Sequence, residues 1–414
     1  MSSVKGKTTK KVSLPKRGTP DFQLLILTLL LVGFGLVMVF SSSSSLTLAS
    51  QKFGNDSLYF VKKQVVFVIL GTIVMFTVMN IHYSKFKKWY VPIFILTLIL
   101  LLAVAFAERI NGAKSWLSIG KLGIQPTELA KLSIILYLSA LISKKGERLR
   151  DLRTGYIPVM VIVGIVAGLI MMQPDLGSCL ILVATSGLVI YAGGASMKHI
   201  LGSIALLVLG VGLVMGAKTA IDSLSPPTSE NIAANDYRKD RISAFLDPSQ
   251  DASDSGYNIM QSLIALGEGG TTGSGFGQSV QKLHYLPYPY TDFIFAIIGE
   301  ELGFVGTSIF LLLYLYFIWR GILIALRCTD PFGTLVGIGV MGLIAIQAFV
   351  NIGGVTKTIP LTGVTLPFIS YGGSSLLVSM LCMGIMLSIS RETNRPAKEE
   401  VTKSVTTVRG VRAR

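Results

Sequence analysis

Apolar runs long enough to cross a lipid bilayer recur along most of this chain, and no other feature constrains its fold as strongly. A helix needs roughly 20 apolar residues to traverse the hydrocarbon layer. Runs near that length begin close to Phe22, Gln64, Tyr90, Thr127, Tyr156, Leu176, His199, Asp292, Phe332 and Pro367, which gives about ten spans. The expectation is an all-α, polytopic membrane protein with a large outer loop between spans seven and eight. Composition agrees, since 51% of the 414 residues are hydrophobic and only 14% are charged, so the usual length-per-domain rule for soluble chains does not apply. The first run follows the basic leader "KGKTTKKVSLPKR", as in a secretion signal, but it is too long for the core of one and reads as a retained first helix.

The net charge of +15 points to membrane topology rather than to nucleic acid. If the spans alternate, the leader, "SKFKK", "KKGERLRDLR" and the basic tail all fall on one side, which the positive-inside bias makes the cytoplasm. Both termini then lie inside. The three cysteines are odd in number and lack metal-ligand spacing, and the three histidines are far apart, so a zinc site is not expected.

The chain divides into a basic cytoplasmic leader, 1–20, a membrane domain, 21–390, and a polar tail, 391–414, that reads as disordered. No internal repeat is visible. The outer loop, 222–290, is far longer than an ordinary connection and so is expected to be functional or disordered. Its first part, "SLSPPTSENIAANDY", reads as disorder. In its second part Tyr257, Ile259, Met260, Leu263, Ile264 and Leu266 follow a helical spacing suited to the membrane interface. "GEGGTTGSGFG" follows no strand and precedes no Gly-Lys-Ser/Thr, so it reads as a flexible turn rather than a phosphate loop.

Carboxylates inside apolar spans are costly and therefore informative. "YLPYPYTDFIFAIIGEELGF" carries Asp292, Glu300 and Glu301. Thr291 or Asp292 is placed to cap a helix. Asp292 at an outer mouth is equally placed to take a proton from a sugar hydroxyl. On a continuous helix Glu300 would lie roughly 12 Å deeper, too far for a close carboxylate pair, so Glu300 and Glu301 read as structural. In "IQPTELAKLSI" the i,i+3 pair Glu128 and Lys131 allows an ion pair facing the bundle interior, as a clamp or as a substrate contact. Asp175 in "MMQPDLGS" suits a helix cap. Lys114, Lys121, Arg238, Lys239, Arg241, Lys282 and Lys357 would be outer basic residues, against the topological bias, and an anion such as a pyrophosphate would account for them. In "ISYGGSSLL", which holds Ser370, the glycines Gly372 and Gly373 permit close packing or a break in the last span.

Taken together, "IQPTELAKLS", "QPDLG", "RISAFLDP", "SGYNIMQSLIALG", "QSVQKLHYLP", "TDFIFAIIGEELGF" and "PLTGVTLPFISYGGSSLL" resemble the SEDS family of bacterial envelope proteins, closest to its FtsW and SpoVE branch. The resemblance runs from about Phe22 to Ile389. It implies a peptidoglycan glycosyltransferase of the cytoplasmic membrane that polymerises lipid II at the outer face during septum formation, in division or sporulation. Asp292 would be the general base. Arg241 would neutralise the departing pyrophosphate, with Lys114, Glu128, Lys131, Asp175, Lys357 and Ser370 contacting substrate. No cofactor follows, and for a divalent cation that would help the pyrophosphate leave the sequence fixes no ligands. The implied partners are lipid II, the undecaprenyl-pyrophosphate-linked glycan, a class B penicillin-binding protein as transpeptidase, and other division proteins.

Two stretches depart from the family pattern. Tyr288-Pro289-Tyr290 replaces the Glu-Ala-His or Glu-Pro-Gln of many relatives, and Lys357-Thr358 stands where glycine and an apolar residue are usual. A lipid II flippase and a non-catalytic division scaffold are the alternatives. A flippase needs polar residues throughout the membrane depth, and a scaffold leaves Asp292 and the outer basic residues without a task.

Overall fold

The computed structural model describes residues 18–105, 117–119, 122–173, 175–207, 209, 245, 254–283 and 285–394. Lys114, Lys121, Arg238, Lys239, Arg241, the first part of the outer loop, the leader as far as residue 17 and the tail from residue 395 lie outside them. The helices are α1 (Phe22–Ala49), α2 (Tyr59–Asn80), α3 (Phe86–Ala105), α4 (Pro126–Lys145), α5 (Ile157–Met171), α6 (Leu176–Ala192), α7 (Met197–Leu207), α8 (Asp254–Glu268), α9 (Ile294–Arg327), α10 (Pro331–Val355) and α11 (Gly373–Thr393). A short antiparallel hairpin, β1 (Leu117–Ile119) and β2 (Leu122–Ile124), precedes α4. Among the described residues eight helices are long and apolar enough to cross a membrane, and α6 and α7 are shorter apolar helices.

Helices α4, α10 and α11 form the centre. Their apolar windows are 78%, 72% and 78% buried inside the protein, against 22% for α2 and 17% for α3. The outer helices therefore turn large apolar side chains such as Ile69, Ile73, Ile95 and Ile99 outward, as expected where lipid replaces water. The serine run of α1 stays helical because its hydroxyls bond back into the helix: Ser42 donates to the Met38 carbonyl at 2.7 Å and Ser43 to that of Val39 at 2.6 Å.

The two ends of the bundle differ in charge. At one end Arg320 of α9 pairs with Asp21 before α1, the Asp21 amide donates to Ser390 Oγ of α11 at 3.0 Å, and Arg391 Nη1 donates to Asn80 Oδ1 of α2 at 2.8 Å. The connections and helix ends there carry Lys85, Lys87, Lys88, Lys144, Lys145, Arg148, Arg150 and Arg153. At the opposite end lie the starts of α2, α4, α6, α9 and α11 and the end of α10.

The last span starts later than its apolar pattern suggests. Residues 356–372 are not helical, with Gly363 at φ 70° and Phe368 at φ 67°, and α11 begins at Gly373. Pro360 and Pro367 remove helix donors in that stretch. Gly373 is tight for another reason: a Cβ there would fall 2.4 Å from the Phe67 ring of α2.

Candidate functional site

Helix α9 is broken at Gly303, which has φ 64° and ψ −170°. In an unbroken helix the carbonyls of Glu300 and Glu301 would take the amides of Phe304 and Val305. Here they take those of Ser274 at 2.9 Å and Gly275 at 3.1 Å, while Phe304 and Val305 donate to the carbonyls of Gly270 at 2.9 Å and Thr271 at 3.1 Å. The glycine-rich stretch after α8 is thus spliced into the helix break, not a flexible turn. Only glycine fits at that distance, because a Cβ on Gly273 would lie 2.2 Å from the Glu301 carbonyl oxygen.

The two glutamates before the break grip four successive residues of the loop. Glu300 Oε2 accepts from Ser279 Oγ at 2.5 Å, and Oε1 from the amides of Val280 at 2.6 Å and Gln281 at 3.3 Å. Glu301 Oε1 pairs with Lys282 Nζ at 2.7 Å, and Ser41 Oγ of α1 donates to both of its carboxylate oxygens, at 2.6 and 2.7 Å. All three charged side chains are buried. Lys282, one of the basic residues expected at an outer ligand, is instead engaged inside the protein. Ser41 had no signal in the sequence beyond its place in a serine run.

The grip delivers the chain to Asp292. Residues 285–293 are turns, and Asp292 is partly exposed. The N-cap position falls on neither Thr291 nor Asp292 but on Phe293, which makes no side-chain bond, and Thr291 Oγ1 donates to the Tyr288 carbonyl at 2.9 Å. Since Asp292 precedes the helix, the helical spacing to Glu300 does not apply. Tyr288 is in the left-handed region at φ 51°, which turns the chain inward at Tyr290. That ring is 6% exposed and packs on Phe60 and Tyr371 at centroid distances of 4.2 and 5.8 Å. Burial raises the pKa of the Tyr290 phenol and pushes that of Tyr371 up to about 12.

Three further bonds fix this turn. The Tyr371 amide donates to the Tyr290 carbonyl at 2.8 Å. Asn351 Nδ2, near the end of α10, donates to the Asp292 carbonyl at 2.8 Å and the Val364 carbonyl at 2.7 Å. One helical turn earlier on α10, Gln347 accepts from Lys131 Nζ at 3.4 Å and donates to the Thr365 carbonyl at 3.3 Å. Lys131 in turn pairs with Glu128 at 2.7 Å, and the two are 1% and 7% exposed. Asp292 and the Glu128–Lys131 pair are therefore joined through one face of α10 and the 364–365 segment. Asn351 and Gln347 carried no charge to draw attention in the sequence, although their i,i+4 spacing inside an apolar span was visible.

The remaining candidates are placed as follows. Asp175 Oδ1 caps α6 by accepting from the Ser178 amide at 2.9 Å. A Cβ on Gly177 would meet the Thr362 carbonyl at 2.8 Å, so that helix start abuts the 362–364 segment. Lys357 lies just past α10, partly exposed and left-handed at φ 56°. Ser370 is buried, and its hydroxyl accepts from the Leu366 amide at 2.8 Å. The Gly372 amide donates to Gln64 Oε1 at 3.4 Å. Among the described residues no three histidine, cysteine or carboxylate side chains are grouped so as to hold a metal ion.

Comparison with known proteins places the chain in a family. Stage V sporulation protein E of Bacillus subtilis is 42% identical over 391 residues, covering 93% of this chain and 99% of that protein. A probable peptidoglycan glycosyltransferase FtsW from the same organism is 40% identical over 375 residues, covering 89% and 90%. In structure, the chain resembles one solved in a study of polymerization and crosslinking by a peptidoglycan synthase complex, with a TM-score of 0.71, 27% identity and coverage of 91% and 99%. It also resembles the rod shape determining protein RodA of Thermus thermophilus, with a TM-score of 0.63, 27% identity and coverage of 91% and 98%. Residues 22–395 match the cell cycle protein family that comprises FtsW, RodA and SpoVE, and this chain belongs to it.

Proposed function

We propose that this protein is a peptidoglycan glycosyltransferase that polymerises lipid II on the outer side of the bacterial cytoplasmic membrane during septum formation. The observation that carries the reading is the setting of Asp292. The residue is partly exposed in a turn held by Asn351, at the end of the bundle opposite the lysine- and arginine-rich connections, which the positive-inside bias assigns to the cytoplasm. Relatives named as peptidoglycan glycosyltransferases support the chemistry.

In this reading the Asp292 carboxylate takes the proton of the acceptor hydroxyl, the 4-OH of the GlcNAc on incoming lipid II. The freed oxygen pair attacks the anomeric carbon of the growing glycan, and the bond from that carbon to the undecaprenyl pyrophosphate breaks. The pyrophosphate leaves with the electron pair, and cations such as Arg241, Lys114 and Lys357 neutralise it. Glu128 and Lys131, joined to the Asp292 turn through α10, belong to the inner wall of the same site. A class B penicillin-binding protein is the proposed partner. The synthase complex that contains the structural relative is consistent with it.

The test is polymerisation of lipid II by purified wild-type and Asp292→Asn protein, alone and with the partner. Loss of a general base lowers the rate by about 10²–10⁴-fold. Wild-type rates from Asp292→Asn would remove Asp292 from the mechanism.

A further inference from the structure

The position of the Asp292 carboxylate depends on a backbone that belongs to no helix or strand, so bonds from neighbouring segments to that backbone bear on where it stands. One such bond comes from the side chain of Asn351, 59 residues away and 4% exposed. Its single amide nitrogen carries two hydrogens in one plane, and each has a backbone carbonyl: Asp292 at 2.8 Å and Val364 at 2.7 Å. A primary amide is the short side chain that offers two donors in such a fixed fork. Aspartate offers none when ionised, serine offers one, and glutamine displaces the fork by a methylene group. The bond from the Tyr371 amide to the Tyr290 carbonyl ties the same two segments at a second place, so Asn351 completes a two-point attachment of the Asp292 turn to residues 364–371.

We propose that Asn351 is a positioning residue for glycan polymerisation: by clipping the Asp292 and Val364 carbonyls together it fixes the Asp292 turn relative to the non-helical segment 356–372. The inference rests on the reading of Asp292 as the base. A base must stand within hydrogen-bond reach of the proton it removes, and a displacement of about 1 Å costs on the order of 10²-fold in rate. Asn351 acts on that distance without touching substrate.

The test measures kcat and KM for lipid II, per mole of monodisperse protein, in wild type, Asn351→Asp, Asn351→Ser and Asp292→Asn. The expected result is a fall in kcat of about 10–10²-fold for Asn351→Asp, with KM within about twofold and a shifted acid limb of the pH–rate profile. Asn351→Ser, which keeps one donor, is expected to fall between, and it replaces Asn351→Asp should that variant fail to fold. A purely structural role would reduce the yield of folded protein and leave kcat per folded molecule and the pH profile unchanged. Wild-type kcat in folded Asn351 variants, with Asp292→Asn inactive, overturns this inference alone. Wild-type activity in Asp292→Asn overturns the reading it rests on, and the inference with it.

Discussion

Lys282 Nζ lies 2.7 Å from Glu301 Oε1, and the two side chains are among the most completely enclosed charges described. They stand 19 positions apart and join the outer loop to the buried half of α9, with Ser41 of α1 bonding both. Charges withdrawn from water are tolerated only when paired and hydrogen-bonded, and here the pairing fixes the loop that leads to Asp292.

Removing one partner is therefore worse than removing both. Lys282→Met leaves the buried Glu301 carboxylate with Ser41 as its remaining described partner, and is expected to cost about 3–5 kcal/mol. Lys282→Met combined with Glu301→Met is expected to cost less than Lys282→Met alone. Thermal unfolding in detergent of the two variants and wild type measures the order.

The helix break makes its own prediction. Gly303 occupies a backbone region open to glycine alone, and a Cβ there would lie 2.2 Å from the Gly273 amide nitrogen. Gly303→Ala is expected to cost about 3 kcal/mol or more. Gly33→Ala, on an outward face of α1 with no atom near the new Cβ, is expected to leave the melting temperature within a degree or two of wild type, on the order of the helix-propensity difference.

For Glu128 and Lys131, stability and activity are expected to separate. Lys131→Met leaves a buried carboxylate and is expected to cost about 3–5 kcal/mol. Adding Glu128→Gln is expected to restore most of the melting temperature while polymerisation stays lost, the outcome that the proposed substrate-site role of the pair requires. Unfolding curves and lipid II polymerisation, run on the same preparations, check both halves.

At Asp175 the cap sets the scale. Asp175→Ala removes the acceptor for the Ser178 amide and is expected to cost about 1 kcal/mol, whereas Asp175→Asn keeps an acceptor and is expected to cost less. The melting temperatures of the two variants measure the difference.

Much of the fold was legible because a bilayer leaves so few options. Runs such as those at Phe22, Tyr156 and Phe332 became α1, α5 and α10, since backbone amides in hydrocarbon must be satisfied within the segment. The interfacial spacing from Tyr257 to Leu266 became α8, although its buried face is Gly256, Ile259, Ser262 and Ala265, with Tyr257 and Ile264 turned outward. Glu300 and Glu301 stood out because a charge in an apolar run needs a partner. The partners themselves were hidden, for Ser41 and the Val280 amide carry no distinguishing sequence mark. The glycine-rich stretch misled for a related reason: its composition allows flexibility, and only its neighbour at the Gly303 break makes it rigid.

By itself the sequence determined the helical membrane architecture, the side on which positive charge collects and the family motifs, all of which follow from solvent partitioning and local order. Tertiary structure alone decided that Asn351 holds the Asp292 turn, that Lys282 faces inward, and that the break of α9 at Gly303 is filled by the glycine-rich stretch after α8. Each of these depends on hydrogen bonds between groups distant along the chain, and such bonds leave no periodic trace in composition.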